Sequence, residues 1–200
     1  MNTNPPDKSP LRADARRNRD SILRTAARHF AANGVNTSLD EIAREAGVGP
    51  GTLYRHFPSR DALLAATLTE RQADILARAD AAREMACSEA ALTEWLRALQ
   101  DYLATYDGLP APVLTAIQED TSVLAISCET LVALTGEFLT RAQKDGRARA
   151  TITPQGLFLS ALGIAWVLNR AGVGETHRRE LEAIFVVGYR ERGRLLDEAE

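Results

Sequence analysis

Apolar residues recur along this chain at helical intervals and almost nowhere alternate. Within residues 12–33, Ile22, Leu23, Ala26, Ala27 and Phe30 fall at i, i+1, i+4, i+5 and i+8, one face of a helix that Gly34 should stop. Ser38-Leu39-Asp40-Glu41 has the form of a capping box; it opens a short helix carrying Ile42, Ala43 and Ala46 and ending at Gly47. Pro50 suits the first turn of a third helix, where a missing N–H costs little, and Pro58 stops that helix after Phe57. Ser59 caps a long fourth helix with Leu63, Leu64, Leu68, Ile75 and Leu76 on its apolar side. Further helices are predicted from Ser88 to about Tyr106, around Pro112 to Gln118, and from Thr121 or Ser122 to near Gly146. Thr153-Pro154, an N-cap followed by proline, opens another to about Asn169, and a last runs from about Thr176 to Leu196. With 33 alanines and scarcely any alternating β-branched run, the fold class is all-α.

The first three helices have the spacing of a helix-turn-helix. The turn Gly47-Val48-Gly49 must reverse direction in a few residues, which glycine permits, and Val48 would plug the crossing of the second and third helices. Ile42, Ala43 and Leu53 would pack the unit on the first helix, leaving Thr52, Tyr54, Arg55 and His56 facing outward. The organisation expected is a polar, proline-rich, disordered tail over 1–10, a three-helix reader over 11–60, and a bundle over 61–200 joined to it by the long fourth helix.

Thr37-Ser38, Ile42-Ala43, Ala46-Gly47-Val48, Gly51-Thr52-Leu53-Tyr54-Arg55-His56-Phe57 and Leu63-Leu64 together closely resemble the DNA-binding domain of the TetR family of transcriptional regulators. The segment Arg149-Ala150-Thr151-Ile152-Thr153-Pro154 resembles that family's entry into its penultimate helix. The resemblance implies a homodimer on a palindromic double-stranded operator, with Tyr54, His56 and Thr37 on backbone phosphates and Ser38 at the adjoining helix start. Thr52 and Arg55 are candidates for base edges, a methyl for thymine and a fork for guanine, with Arg44 behind them. Pro50 and Gly51 enter the reading helix, although Pro50 has no hydrogen to donate. Arg60 keeps a phosphate-seeking charge where the family often has lysine. Arg17 belongs to a cluster with Arg12, Arg16 and Arg19 at the leading end of the first helix; alone it would read as a solvated face, but beside the motif it reads as a DNA contact, at the backbone or minor groove as the family resemblance implies.

The remaining two thirds hold no catalytic pair, phosphate-binding glycine loop or metal-ligand spacing, so an enzyme is disfavoured and no cofactor or metal is expected. Family resemblance implies a pocket for a small-molecule effector of unidentified structure, for which Trp95, Tyr102, Tyr106, Gln118 and Cys128 combine apolar bulk with polar handles. Leu157 to Leu168 is apolar around nearly its whole circumference, and Leu181, Ile184, Phe185 and Gly188 follow a helical stripe. These helices are the expected self-association surface, through Phe158, Leu162, Ala165 and Trp166 on one and Leu181, Ile184, Phe185 and Gly188 on the other. A bundle serving only dimerisation or protein interaction, without effector, stands as the alternative.

Composition changes one part of this picture. The 200 residues carry 24 basic and 27 acidic side chains, a net charge of −3 that by itself discourages a nucleic-acid partner. Residues 1–64 hold 10 basic and 7 acidic side chains while 65–200 hold 14 and 20, so the average conceals a basic reader and an acidic bundle. Cys87 and Cys128 form no CxxC or Cys/His cluster, and no apolar run approaches the length of a membrane span. The expected setting is the reducing cytoplasm, without a membrane partner.

Overall fold

Residues 9–118, 123–170 and 174–191 are described by the computed structural model. Among them lie nine helices: α1 (Ser9–Asn33), α2 (Leu39–Glu45), α3 (Pro50–His56), α4 (Arg60–Arg83), α5 (Ser88–Leu103), α6 (Pro110–Gln118), α7 (Ala125–Lys144), α8 (Pro154–Arg170) and α9 (Glu175–Tyr189). The helix starts follow the capping chemistry of the sequence. Ser38 Oγ accepts the Glu41 amide at 3.3 Å, Ser59 Oγ that of Ala62 at 3.1 Å, and Thr153 Oγ1 that of Gly156 at 3.1 Å. Gly34, Gly47 and Gly146, each just past a helix end, and Gly108, in the turn before α6, are the four described residues with positive φ, between 66° and 79°.

The chain separates into two compact units, Met1–Glu70 and Arg71–Glu200, so the division falls inside α4 rather than at its start. In the first unit α1, α2 and α3 pack mutually. Ile22, Ala26 and Phe30 of α1, Ile42 and Ala43 of α2, and Leu53 of α3 are fully buried, joined by Leu63 and Leu64 from the start of α4. Each large apolar side chain so buried contributes roughly 1.5–3 kcal/mol, which is what holds two seven-residue helices too short to form alone. Val48 is only half-buried, a partial plug.

In the second unit α5 packs on both α7 and α8, which pack on each other; α6 lies against α7 and α8, and α9 against α8. Leu92, Trp95, Leu99, Phe138, Phe158, Ala161 and Ala165 form its centre. Four boundaries differ from expectation. α1 begins at Ser9, inside the stretch expected to be tail, rather than at residue 12. α5 stops at Leu103, because the Ala104 and Thr105 amides close a turn and Tyr106 is folded inward, and α6 begins at Pro110, where proline again needs no amide partner. α9 ends at Tyr189, not Leu196: Arg190 turns extended, and the Arg149 amide donates to the Tyr189 carbonyl while the Glu191 amide donates to that of Arg147. The expected start of α7 at Thr121 or Ser122 and the stretch 192–196 lie outside the described residues.

Candidate nucleic-acid interface

Helix α3 presents two faces. Leu53 and, just past the helix, Phe57 are buried, with the Arg19 guanidinium 5.3 Å from the Phe57 ring centre. Tyr54 and Arg55 are exposed, Thr52 and His56 partly so, and Pro50 and Gly51 stand open at the entry. One surface therefore gathers Thr52, Tyr54, Arg55 and His56, a methyl-bearing hydroxyl, a phenol, a guanidinium and an imidazole, with little else to contact. Arg44 is exposed on α2, and Arg17 is exposed and paired with Asp14 on its own helix.

The turn into α2 is built differently from the expectation. Arg60, anticipated as a free phosphate-seeking charge, donates through Nη1 to the carbonyls of Val35 at 2.7 Å and Thr37 at 2.6 Å, pinning this turn from the start of α4. Thr37, anticipated at the phosphate, is 8% exposed, and its hydroxyl lies 3.4 Å from Nδ1 of His29. Ser38, whose hydroxyl accepts the Glu41 amide, is the more exposed residue of the two. His29 itself was not foreseen. Its Nε2 lies 3.1 Å from a carboxylate oxygen of Glu45, the last residue of α2, so one α1 side chain touches both the turn leading into that helix and its final residue. Ser21 Oγ donates to the Ala46 carbonyl at 3.0 Å, adding a tether to the turn before α3. The signal existed: Ser21, Thr25, Arg28 and His29 fall at i, i+4, i+7 and i+8, a polar seam beside the apolar face of α1. The bond to His29 holds the Glu45 carboxyl below its ordinary pKa.

The bundle residues divide into those the fold consumes and those it leaves accessible. Trp95, expected in a pocket, is core: it is fully buried, its indole N–H donates to Thr135 Oγ1 at 3.0 Å, and it stacks on Phe138 at 5.5 Å. Gln118 is exposed. Tyr102, Tyr106 and Cys128 do come together; burial first, then the neighbouring Cys128 and Tyr106, push the Tyr102 phenol up to about 12, and burial pushes the Cys128 thiol up to about 11. Beside Tyr102 a cleft of about 180 Å³ opens between α4 and α5, lined also by Arg71, Arg78, Asp101 and Thr105. On the dimer candidates, Phe158, Leu162 and Ala165 are buried within one chain and are corrected to core, because the inner side of α8 packs on α5 and α7. Trp166, Ile184 and Gly188 are exposed; Leu181 and Phe185 are half-buried.

A closed ring of alternating charge was also unforeseen. It runs Arg78–Glu94 at 3.0 Å, Glu94–Arg97 at 3.4 Å, Arg97–Glu182 at 3.5 Å, Glu182–Arg178 at 3.9 Å, Arg178–Asp101 at 3.0 Å and Asp101–Arg78 at 2.9 Å, tying α4, α5 and α9. Among the described residues no group of three or more His, Cys, Asp or Glu could hold a metal, and no helix is long and apolar enough to cross a membrane.

Residues 22–67 match the model of bacterial regulatory proteins of the tetR family, and residues 88–191, just over half of the chain, match the C-terminal domain of SbtR-like transcriptional regulators. The chain belongs to the TetR family. It is thus a TetR-family DNA-binding transcriptional regulator, a member of a non-enzymatic family. An HTH-type transcriptional regulator of Staphylococcus aureus is 46% identical over 54 residues, 26% of this chain and 29% of that protein, so the match spans under a third of this curated relative. Over the fold, a TetR transcriptional regulator of Streptomyces coelicolor is 28% identical with a TM-score of 0.58, covering 86% of this chain and 98% of that one. The regulator FadR of Bacillus subtilis, solved in complex with stearoyl-CoA, shares the TetR fold at 17% identity with a TM-score of 0.58, covering 84% of this chain and 98% of that one.

Proposed function

We propose that this TetR-family chain acts as a homodimeric repressor that binds a palindromic operator and is released by a small-molecule effector. The observation carrying the DNA-contact part is the outward face of α3: Leu53 and Phe57 spend the apolar side on the core, leaving Tyr54 and His56 for phosphates and Thr52 and Arg55 for base edges. Ser38, Thr37 and Arg17 add phosphate contacts, while Arg60 serves by holding the turn. Self-association is supported by the outer faces of α8 and α9, where Trp166 is 48%, Val187 62% and Ile184 70% exposed, an apolar display that a lone chain has no reason to keep. An effector in the bundle is supported by the cleft beside Tyr102, near Tyr106 and Cys128, and by the ligand-bound state of a structural neighbour. A DNA-shift assay on the region upstream of its own coding sequence tests the reading. Tyr54→Phe with Arg55→Ala should weaken binding at least tenfold, the worth of one lost specific contact; unchanged affinity would place the interface elsewhere. Ile184→Glu should convert a dimer to a monomer in sedimentation velocity.

A further inference from the structure

His29 is a buried imidazole whose two nitrogens have different partners: Glu45 Oε2 at 3.1 Å from Nε2 and Thr37 Oγ1 at 3.4 Å from Nδ1. In the neutral ring one nitrogen carries a hydrogen and the other a lone pair. A lone pair facing a carboxylate is repulsive, so Nε2–H donates to Glu45 and Nδ1 accepts from the Thr37 hydroxyl. In that state the single hydroxyl hydrogen of Thr37 is spent. When a proton from solvent adds to Nδ1, the bond reverses: Nδ1–H donates to Oγ1, and the hydroxyl hydrogen becomes available to an acceptor outside. No covalent bond other than N–H is formed. The charges around this centre are Glu45 and Arg44 from α2, Arg28 from α1, 3.6 Å from Glu45, and Arg60 from α4, which donates to the Thr37 carbonyl.

We propose that DNA binding by this chain takes up a proton at His29, because Thr37 can donate to a backbone phosphate only while Nδ1 carries a hydrogen of its own. The inference rests on the phosphate role given to Thr37 above. His29 touches no DNA in this scheme; it is a positioning residue that decides which way the hydroxyl points. Its neutral form leaves two poor choices on the DNA, a phosphate without its donor or a buried nitrogen without its own, and either weakens binding. The protonated form is therefore favoured on the DNA: its midpoint is higher in the complex than in the free protein, and affinity falls as pH rises through that interval.

The chain has three histidines, so imidazole proton–nitrogen NMR of the full-length protein resolves each. It is titrated across roughly pH 5 to 8, where imidazoles ordinarily change charge, free and with a short double-stranded oligonucleotide at low salt. The expected result is a rise of about one pH unit in the His29 midpoint on adding DNA, matched by about a tenfold loss of affinity from the acid to the alkaline end. In Thr37→Val that rise should vanish, and Thr37→Ser should restore it. An unmoved His29 midpoint in the natural protein overturns the proposal without recourse to any variant. So does a rise of equal size in Thr37→Val, which would assign the shift to the phosphate field alone. If Thr37→Val binds as tightly as the natural protein at the acid end, the phosphate role of Thr37 falls and takes the proposal with it. If Thr37→Val binds more weakly but DNA leaves His29 unmoved, the proton linkage alone falls.

Discussion

The burial of Trp95 in the core of the second unit has an energetic signature. Trp95→Phe keeps an aromatic ring to stack on Phe138 but removes the N–H that donates to Thr135 and leaves space where the second ring was. The lost hydrogen bond costs about 1 kcal/mol, and the unfilled space on the order of 1–2 kcal/mol. A total of about 2–3 kcal/mol should lower the melting temperature by roughly 5–10 °C in a chain of this size. Thr135→Val, nearly isosteric, removes the acceptor instead and strands a fully buried indole N–H, at about 1–3 kcal/mol. It also removes the bond from Thr135 Oγ1 to the Leu131 carbonyl, of small consequence because a carbonyl four residues back already accepts a helical amide. In the double variant no indole N–H remains to be stranded, so the two costs should fall short of additive by about 1 kcal/mol. Urea titration followed by circular dichroism supplies all four corners of the cycle. Additivity within about 0.3 kcal/mol would show that the bond contributes nothing, and a Trp95→Phe protein as stable as its parent would return Trp95 to an open cavity.

Three further perturbations test other parts of the structure. Arg60→Ala should cost about 1–2 kcal/mol in urea melts by freeing the carbonyls of Val35 and Thr37, and should weaken DNA binding through the loosened turn; Arg60→Lys should recover part of both. Gly47→Ala should cost about 1–2 kcal/mol although nothing lies within 4 Å of the added Cβ, because φ is +74°; Gly51→Ala, in equally open space without positive φ, should not destabilise. Cys87, exposed, should react with a thiol reagent near pH 8 while Cys128 is protected until unfolding. Burial raises the Cys128 pKa from 9.0 to about 11, so its contribution to stability is whole below the unfolded value and is lost as pH rises through the folded one; urea midpoints should fall between those values, less steeply in Cys128→Ala.

The chain alone carried those helix starts and stops that rest on local chemistry, since capping, proline and positive φ at Ser38, Ser59, Thr153, Pro50 and Gly47 act within a few residues of themselves, whereas the ends of α5 and α9 depend on Tyr106 folding inward and on the pairing of 189–191 with 147–149. It also determined which face of α3 is spent on the core, since Leu53 and Phe57 lie four apart and Tyr54 and Arg55 fall between them. Three assignments could be made only in the tertiary structure. An apolar helix such as Leu157–Leu168 has two buried-looking sides, and which is outward depends on where α5 and α7 lie; Phe158 and Ala165 went inward, Trp166 outward. An aromatic such as Trp95 reads alike whether it lines a cavity or fills one, until Thr135, forty residues away, meets its N–H. Arg60, Thr37 and His29 each carry a polar group that could face DNA or protein, and only the packing of α1, α2 and α4 around one turn directed them to each other. Hydrogen bonds between distant segments leave no periodic trace in a chain, whereas caps and amphipathic stripes do.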